Sequence, residues 1–462
     1  RMKYQRELAG AHNNLGLLSA RAGQAALAEQ EYRLSLDWFA KLAAAEPHDS
    51  DLARQEARAW ENLGVTLLAD SRTDQVRDAL QKGHRILIGL ASDNASPALR
   101  QALAKSWNNL GILEQTSDAA SAEQSYARAR DIFEQLIQQS PDDPELRFGL
   151  ASSTANLAVL RARGTNPAGA REDFAAACDA FARLAVDFPA IEDYRLQEAQ
   201  TLTNYALFLR DQHDAAADER LQQAHDLYVG LLAARPAATE VRAGLAAALH
   251  AQALSALARD DQAAADDLLS RAVKEQTTVV KAAPQNAGYE HDLALYETAA
   301  GRYMLARKQP KEAQFYLLQA VEHESHAREL APTREDVPRA LAEEYSLLAT
   351  AQLELGDLEQ AAATAEQLAA LAPQDQANLT TAAGLLARCI PLVDRFKAST
   401  RPTLAEDCAR RAVELLQTVV DRQDGDLQFP DLRTAEEFAP LQNRVDFQKV
   451  LDRLTRSTRP EK

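Results

Sequence analysis

The chain has 462 residues, with 51 Lys and Arg against 68 Asp and Glu and a formal charge of −17. Ala supplies about a fifth of it, Gly and Pro number 17 each, and aromatic residues are 6%, so the turn residues and β-branched or aromatic runs of a sandwich or barrel are missing. The acidic balance argues against a nucleic-acid binder, which shows a basic footprint, and no run of 18 apolar residues is present to span a membrane.

The sequence enters a helical pattern at once, with Met2 the only nearby start, and reads as a fragment or a processed product. The first phrase to recur is Asn13-Asn14-Leu15-Gly16. It returns as Asn62-Leu63-Gly64, Asn108-Asn109-Leu110-Gly111, Asn156-Leu157-Ala158 and Asn204-Tyr205-Ala206, placing a small residue at 16, 64, 111, 158 and 206. The same step reaches Ala253, Gly301 and Ala349. A second marker keeps the same period: Pro47, Pro97, Pro141, Pro189, Pro236, Pro284, Pro332 and Pro373. Each is read as the stop of an amphipathic segment, because Pro cannot continue a helix.

Inside a unit the spacing is helical. In the third, Leu99, Leu103, Trp107, Leu110 and Leu113 recur at i, i+3/i+4. After the break Thr116-Ser117-Asp118 the spacing resumes with Tyr126, Ala129, Phe133 and Leu136. The expectation is two antiparallel helices per unit of about 48 residues, stacked into an all-α, superhelical α-solenoid. Gly16, Gly64 and Gly111 fall inside first helices at a cost of about 1 kcal/mol against Ala, which implies close approach of the partner helix. Eight hairpins are assigned to residues 1–376, a ninth, divergent pair to 377–430 (helices near 378–396 and 403–422, turning near 399), and a capping segment to 431–462.

The Leu-Gly pair in the first helix, the aromatic or Ala positions of the second and the closing Pro resemble tetratricopeptide repeats, whose usual length is 34 residues. The segment from Arg6 to Gly23, and that from Asp431 to Leu454, are similar to the long repeats found C-terminal to the kinase domain in planctomycete-type serine/threonine protein kinases. The resemblance implies a non-catalytic protein- or peptide-binding scaffold, the sensory or recruitment region of such a kinase. A free-standing assembly protein that self-associates is the alternative. Either a cytoplasmic or an extracytoplasmic place is compatible with this resemblance. The chain carries no Gly-rich phosphate loop, H-R-D or D-F-G motif.

In that family the position of Asn14, Asn62, Asn109, Asn156 and Asn204 points into the groove, where an amide offers donor and acceptor to an extended peptide backbone. The same amides could instead bond between neighbouring helices. Arg58 and Lys105 lie one turn before this ladder and Arg163 two turns after Asn156, adding positive charge to the same face. Of the family's clamp for a terminal carboxylate only Asn62 and Lys105 match, since Leu17 and Asn109 stand where Asn and Arg are expected. Leu17, Val65, Ile112, Val159 and Leu207 form an apolar strip beside the ladder. Cys389 and Cys408 face one another across the ninth hairpin, as a disulfide or as two small buried residues. His323 and His326 have metal-ligand spacing but read as a solvated helix face. No catalytic constellation and no cofactor is assigned. The partner expected is a protein or extended peptide.

Overall fold

The computed structural model describes residues 2–21, 23–68, 73–91, 95–115, 117–164, 166–396, 403–422 and 432–457. Thr116, the turn expected near 399 and Asp431 lie outside the described residues. The secondary-structure elements of the described residues are all helices, arranged as a repeat array of antiparallel hairpins of the tetratricopeptide type. They divide into two compact units, Arg1–Leu268 and Leu269–Lys462.

The first unit holds five hairpins: α1 (Met2–Arg21) with α2 (Ala25–Ala45), α3 (Ser50–Leu68) with α4 (Thr73–Leu90), α5 (Pro97–Glu114) with α6 (Ala119–Gln139), α7 (Pro144–Arg163) with α8 (Pro167–Asp187), and α9 (Glu192–Asp211) with α10 (Ala216–Ala234). Next come α11 (Thr239–Ala258) and the start of α12 (Gln262–Ala282). Within each hairpin the two helices pack on one another. Each second helix also packs on the following first helix, and each first helix touches the next.

Second helices share one buried spacing, seen in α6 as Ala122, Tyr126, Ala129, Phe133 and Leu136. In α2 it is Ala28, Tyr32, Ser35, Phe39 and Leu42, and in α8 Ala170, Phe174, Ala177, Phe181 and Leu184. The two aromatic anchors, seven residues apart, lie on one face, and full burial of each stabilises by about 1.5–3 kcal/mol. Gly111 makes this packing possible. A Cβ there would lie 2.5 Å from the Tyr126 ring, and one on Gly16 would lie 2.7 Å from Tyr32. The close approach expected from sequence is therefore a ring seated directly on the first helix.

Caps and prolines set the helix ends. Asp118 and Asp143 accept from backbone N–H groups of the first turns of α6 and α7, each cap contributing about 1 kcal/mol. Seven of the eight marker prolines follow a second helix, but Pro97 differs. It opens α5 at its first turn, behind the N-cap Ser96, where a missing N–H costs nothing.

The second unit holds α13 (Ala287–Ala306) with α14 (Pro310–Leu330), α15 (Val337–Leu355) with α16 (Leu358–Leu371), and α17 (Gln376–Phe396) with α18 (Leu404–Asp421). A 3-10 helix, Glu436–Leu441, then packs on α17, and α19 (Val445–Ser457) packs on α18. Phe438, Leu441, Phe447 and Val450 are buried in the α17–α18 core. Among the described residues no helix is long and apolar enough to cross a membrane.

Candidate functional site

First helices of the first unit line a groove of about 650 Å³. Its polar end carries Arg58, Glu61 and Asn62 from α3 and Lys105, Asn108 and Asn109 from α5. The apolar end is formed by Phe148 from α7, Ile191 just before α9, and Tyr194 from α9, with Leu17 and Val65 also on the wall. Helical spacing explains the gathering: residues four apart share a face, so Arg58 and Asn62 project together, as do Lys105 and Asn109.

The amides do two jobs. Asn62 Nδ2 donates to Asn13 Oδ1 at 3.0 Å, and Asn156 Nδ2 donates to Asn108 Oδ1 at 3.1 Å. Each bond ties one hairpin to the next. Between the second and third hairpins the tie differs. Glu61 faces Ser106, and Ser106 Oγ lies 2.9 Å from His84 Nδ1. The order carboxylate–Ser–His is not that of a nucleophilic triad, where His stands between the other two, and Ser106 is buried.

Glu61 is the most perturbed group in the groove. It is 8% exposed, and its Oε1 is buried without a hydrogen-bond partner. Burial pushes its carboxyl up to about 7, against the opposing pull of the Ser106 hydroxyl and the charges of Lys105 and Arg58. A buried acceptor with an unmet lone pair costs about 1–3 kcal/mol until a donor reaches it. Lys105 Nζ is 3.2 Å from Glu145 across the rim, an exposed pair that leaves the ammonium accessible. His84 is held neutral, its imidazole lowered to about 4 by burial and by Arg128. It packs edge-on to Trp107 at 4.3 Å.

Four of the eight ladder and cation positions, Arg58, Asn62, Lys105 and Asn109, line this groove. Asn14 and Asn204 are exposed on α1 and α9, Arg163 is exposed in the last turn of α7, and Asn156 is engaged with Asn108, so these four stand apart from it. Sequence reasoning missed Glu61, Phe148 and Tyr194. It also missed Asn13 and Asn108 as bonding partners, although the doubled Asn of the first and third phrases was the signal.

The second unit contains a buried polar network on α13, α14 and α15. Glu290 Oε2 lies 2.7 Å from His323 Nδ1, and its Oε1 lies 2.9 Å from His326 Nδ1. His291 Nδ1 reaches both oxygens of Glu324 at 2.8 and 2.9 Å. Thr298 Oγ1 donates to Glu344 Oε1 at 3.3 Å. His323 and His326 are therefore part-buried partners of Glu290, and the expected solvated face is corrected. Burial, then the nearby carboxylates, raise Glu297 to about 9, and burial with the Glu324 charge raises Glu344 to about 8. Among the described residues no three His, Cys, Asp or Glu side chains are placed to hold a metal ion.

Cys389 on α17 and Cys408 on α18 are buried free thiols joined by a side-chain hydrogen bond. The contact with Cys408, and then burial, push the Cys389 thiol up.

No family model matches this sequence, and no curated protein matches it. Similar solved structures include human IFIT1 as a dimer with m7Gppp-AAAA, at 15% identity over 97% of this chain and 89% of that one, with a TM-score of 0.40. The apo form of RapI is 12% identical, covering 97% of both chains, with a TM-score of 0.40. A tetratricopeptide repeat protein from Parabacteroides merdae is 14% identical over 73% of this chain and 99% of that one, with a TM-score of 0.35. The fold class rests on the hairpin order described above.

Proposed function

We propose that this chain is a non-catalytic scaffold that binds an extended segment of a protein partner along the groove of its first unit. The observation that carries the reading is Glu61 Oε1, a buried acceptor without a partner in a groove also lined by Asn62, Asn109, Arg58 and Lys105. A peptide backbone supplies N–H donors for the carboxylate and both donors and acceptors for the amides. The apolar end beside Phe148 and Tyr194 suits an aromatic or aliphatic side chain of the same segment. A net charge of −17 supports a protein partner over a nucleic acid.

A displayed library of random dodecapeptides, selected on the whole chain, tests this. Recovered peptides should lose at least tenfold in affinity for the Glu61→Ala and Arg58→Ala/Lys105→Ala variants and bind Asn204→Ala normally. Failure to enrich any sequence, or affinity indifferent to these groove variants, would remove the reading. A finer version makes the chain the recruitment region of a serine/threonine kinase. It is supported by the phrases Arg6 to Gly23 and Asp431 to Leu454. Sequencing the coding DNA upstream of Arg1 decides it: a kinase domain in frame is expected, and a different domain or a start codon at Met2 would refute it.

A further inference from the structure

Two of the three cysteines in the chain meet in one core. Cys389 lies on α17 and Cys408 on α18, the two helices of one hairpin, and they are 0% and 2% exposed. Their side chains are hydrogen-bonded to one another. Cysteines whose Cβ directions diverge cannot be bridged without moving the backbone. Here both sulfurs already point into one contact. The third, Cys178, is buried on α8 in the first unit.

The surroundings suit a bond between the two sulfurs. The pair shares its core with Leu386, Leu404 and Ala412. Among the described residues no third His, Cys, Asp or Glu is placed with it to hold a metal ion. The charged groups that act on the pair are Arg388 beside Cys389, and Asp407 and Glu366 beside Cys408. Contact with Cys389 lowers the Cys408 thiol, against burial and the two carboxylates, whereas Cys389 is raised. Cys408 is therefore the sulfur that ionises first, and a thiolate is the nucleophile of disulfide exchange.

We propose that Cys389 and Cys408 form a reversible disulfide that locks the α17–α18 hairpin, with a small-molecule disulfide such as oxidised glutathione as the oxidant. The Cys408 thiolate attacks one sulfur of that disulfide, giving a mixed disulfide and releasing one thiol. Cys389 then gives up its proton and attacks the Cys408 sulfur, closing the Cys389–Cys408 bond and expelling the second thiol. The two cysteines lose two protons and two electrons, and the small disulfide is reduced to two thiols. Both sulfurs are shielded, so the exchange runs as the hairpin opens or as the chain folds. The bond closes the loop from 389 to 408 and restricts the unfolded chain. The 3-10 helix packs on α17 and α19 packs on α18, so the lock also fixes the platform of both capping elements.

The test refolds the full chain, reduced and denatured in urea, in an equimolar buffer of reduced and oxidised glutathione, followed by acid quench and mass spectrometry. The expected product has lost two hydrogens and links the peptides carrying 389 and 408. It should exceed each pairing with Cys178, and each glutathione adduct, at least tenfold. Dithiothreitol should return it to the thiol form. Amide hydrogen exchange in α17 and α18 should slow at least tenfold on oxidation. Cys408→Ala should abolish both effects, and Cys178→Ala should leave them intact. If Cys408→Ala folds poorly, the product ratios of the wild-type chain still decide. Thiols that stay reduced in this buffer, or pairing with Cys178 or glutathione in comparable amount, would overturn the proposal. So would a 389–408 bond that leaves hydrogen exchange unchanged.

Discussion

Replacing Glu297 by Gln should make the protein more stable, and increasingly so as pH rises. Glu297 is 2% exposed on α13, and its Oε2 has no hydrogen-bond partner. Burial, reinforced by the charges of Glu344, Glu290 and Glu322, raises its carboxyl from 4.5 to about 9. Between those values the folded state holds a proton that the unfolded state has released, so stability falls as pH climbs through the window. Each pH unit is worth about 1.4 kcal/mol per group, so at pH 7 the carboxyl costs about 3 kcal/mol relative to pH 4.5. Gln keeps the shape and needs no proton. Urea midpoints for Glu297→Gln and wild type should coincide near pH 4.5, differ by about 3 kcal/mol at pH 7 and diverge further up to pH 9. A difference that stays constant from pH 5 to 9 would refute the reasoning, as would a variant less stable at every pH.

Two glycines should respond in opposite directions. Gly111→Ala forces a Cβ to 2.5 Å from the Tyr126 ring and should lower stability by about 1–2 kcal/mol. Gly230→Ala, with nothing within 4 Å of the new Cβ, should raise it by about 0.5–1 kcal/mol in thermal unfolding. All three cysteines are buried, and burial pushes the Cys178 thiol up to about 12. Iodoacetamide at pH 8 should therefore label the chain only after denaturant is added, and rapid labelling of the native protein would contradict the packing. Asn62→Ala strands the Asn13 amide and should cost about 1–2 kcal/mol, whereas Asn109→Ala should change the urea midpoint little.

The hairpin order was legible because one pattern is written repeatedly, so that a weak signal in any single helix gains from its copies. Second helices carry the pattern most faithfully, since each must seat two large side chains between small ones. Pro97 misled because Pro suits the first turn of a helix as well as the residue after its end. The network of the second unit escaped because a Glu in an amphipathic helix reads as solvated. It could have been found by register. In α14 the residues Ala313, Leu317, Ala320, Glu324 and Ala327 repeat the spacing of Ala122 to Leu136, which places Glu324 where α6 has Phe133. A charge at a core register announces a buried partner, here His291.

The groove lies where the inter-hairpin ties change. The first and second hairpins are joined by Asn13 and Asn62, and the third and fourth by Asn108 and Asn156. Those pairs spend amide donors and acceptors on the array itself. Between the second and third hairpins the tie is instead the His84–Ser106 bond, which Glu61 faces with its Oε1 unmet. A fully satisfied interface has no reason to hold a ligand by hydrogen bonds, because each bond to the newcomer would replace one already made. An unmet buried acceptor reverses that balance: a donor arriving there removes a penalty as well as forming a bond. Asn109 and Lys105, one turn apart on α5, line the same groove close to this junction, and on the proposed reading they would add recognition there. The ladder read from sequence is thus two kinds of residue at one spacing. Asn62 and Asn156 hold hairpins together, and Asn109 lines the groove.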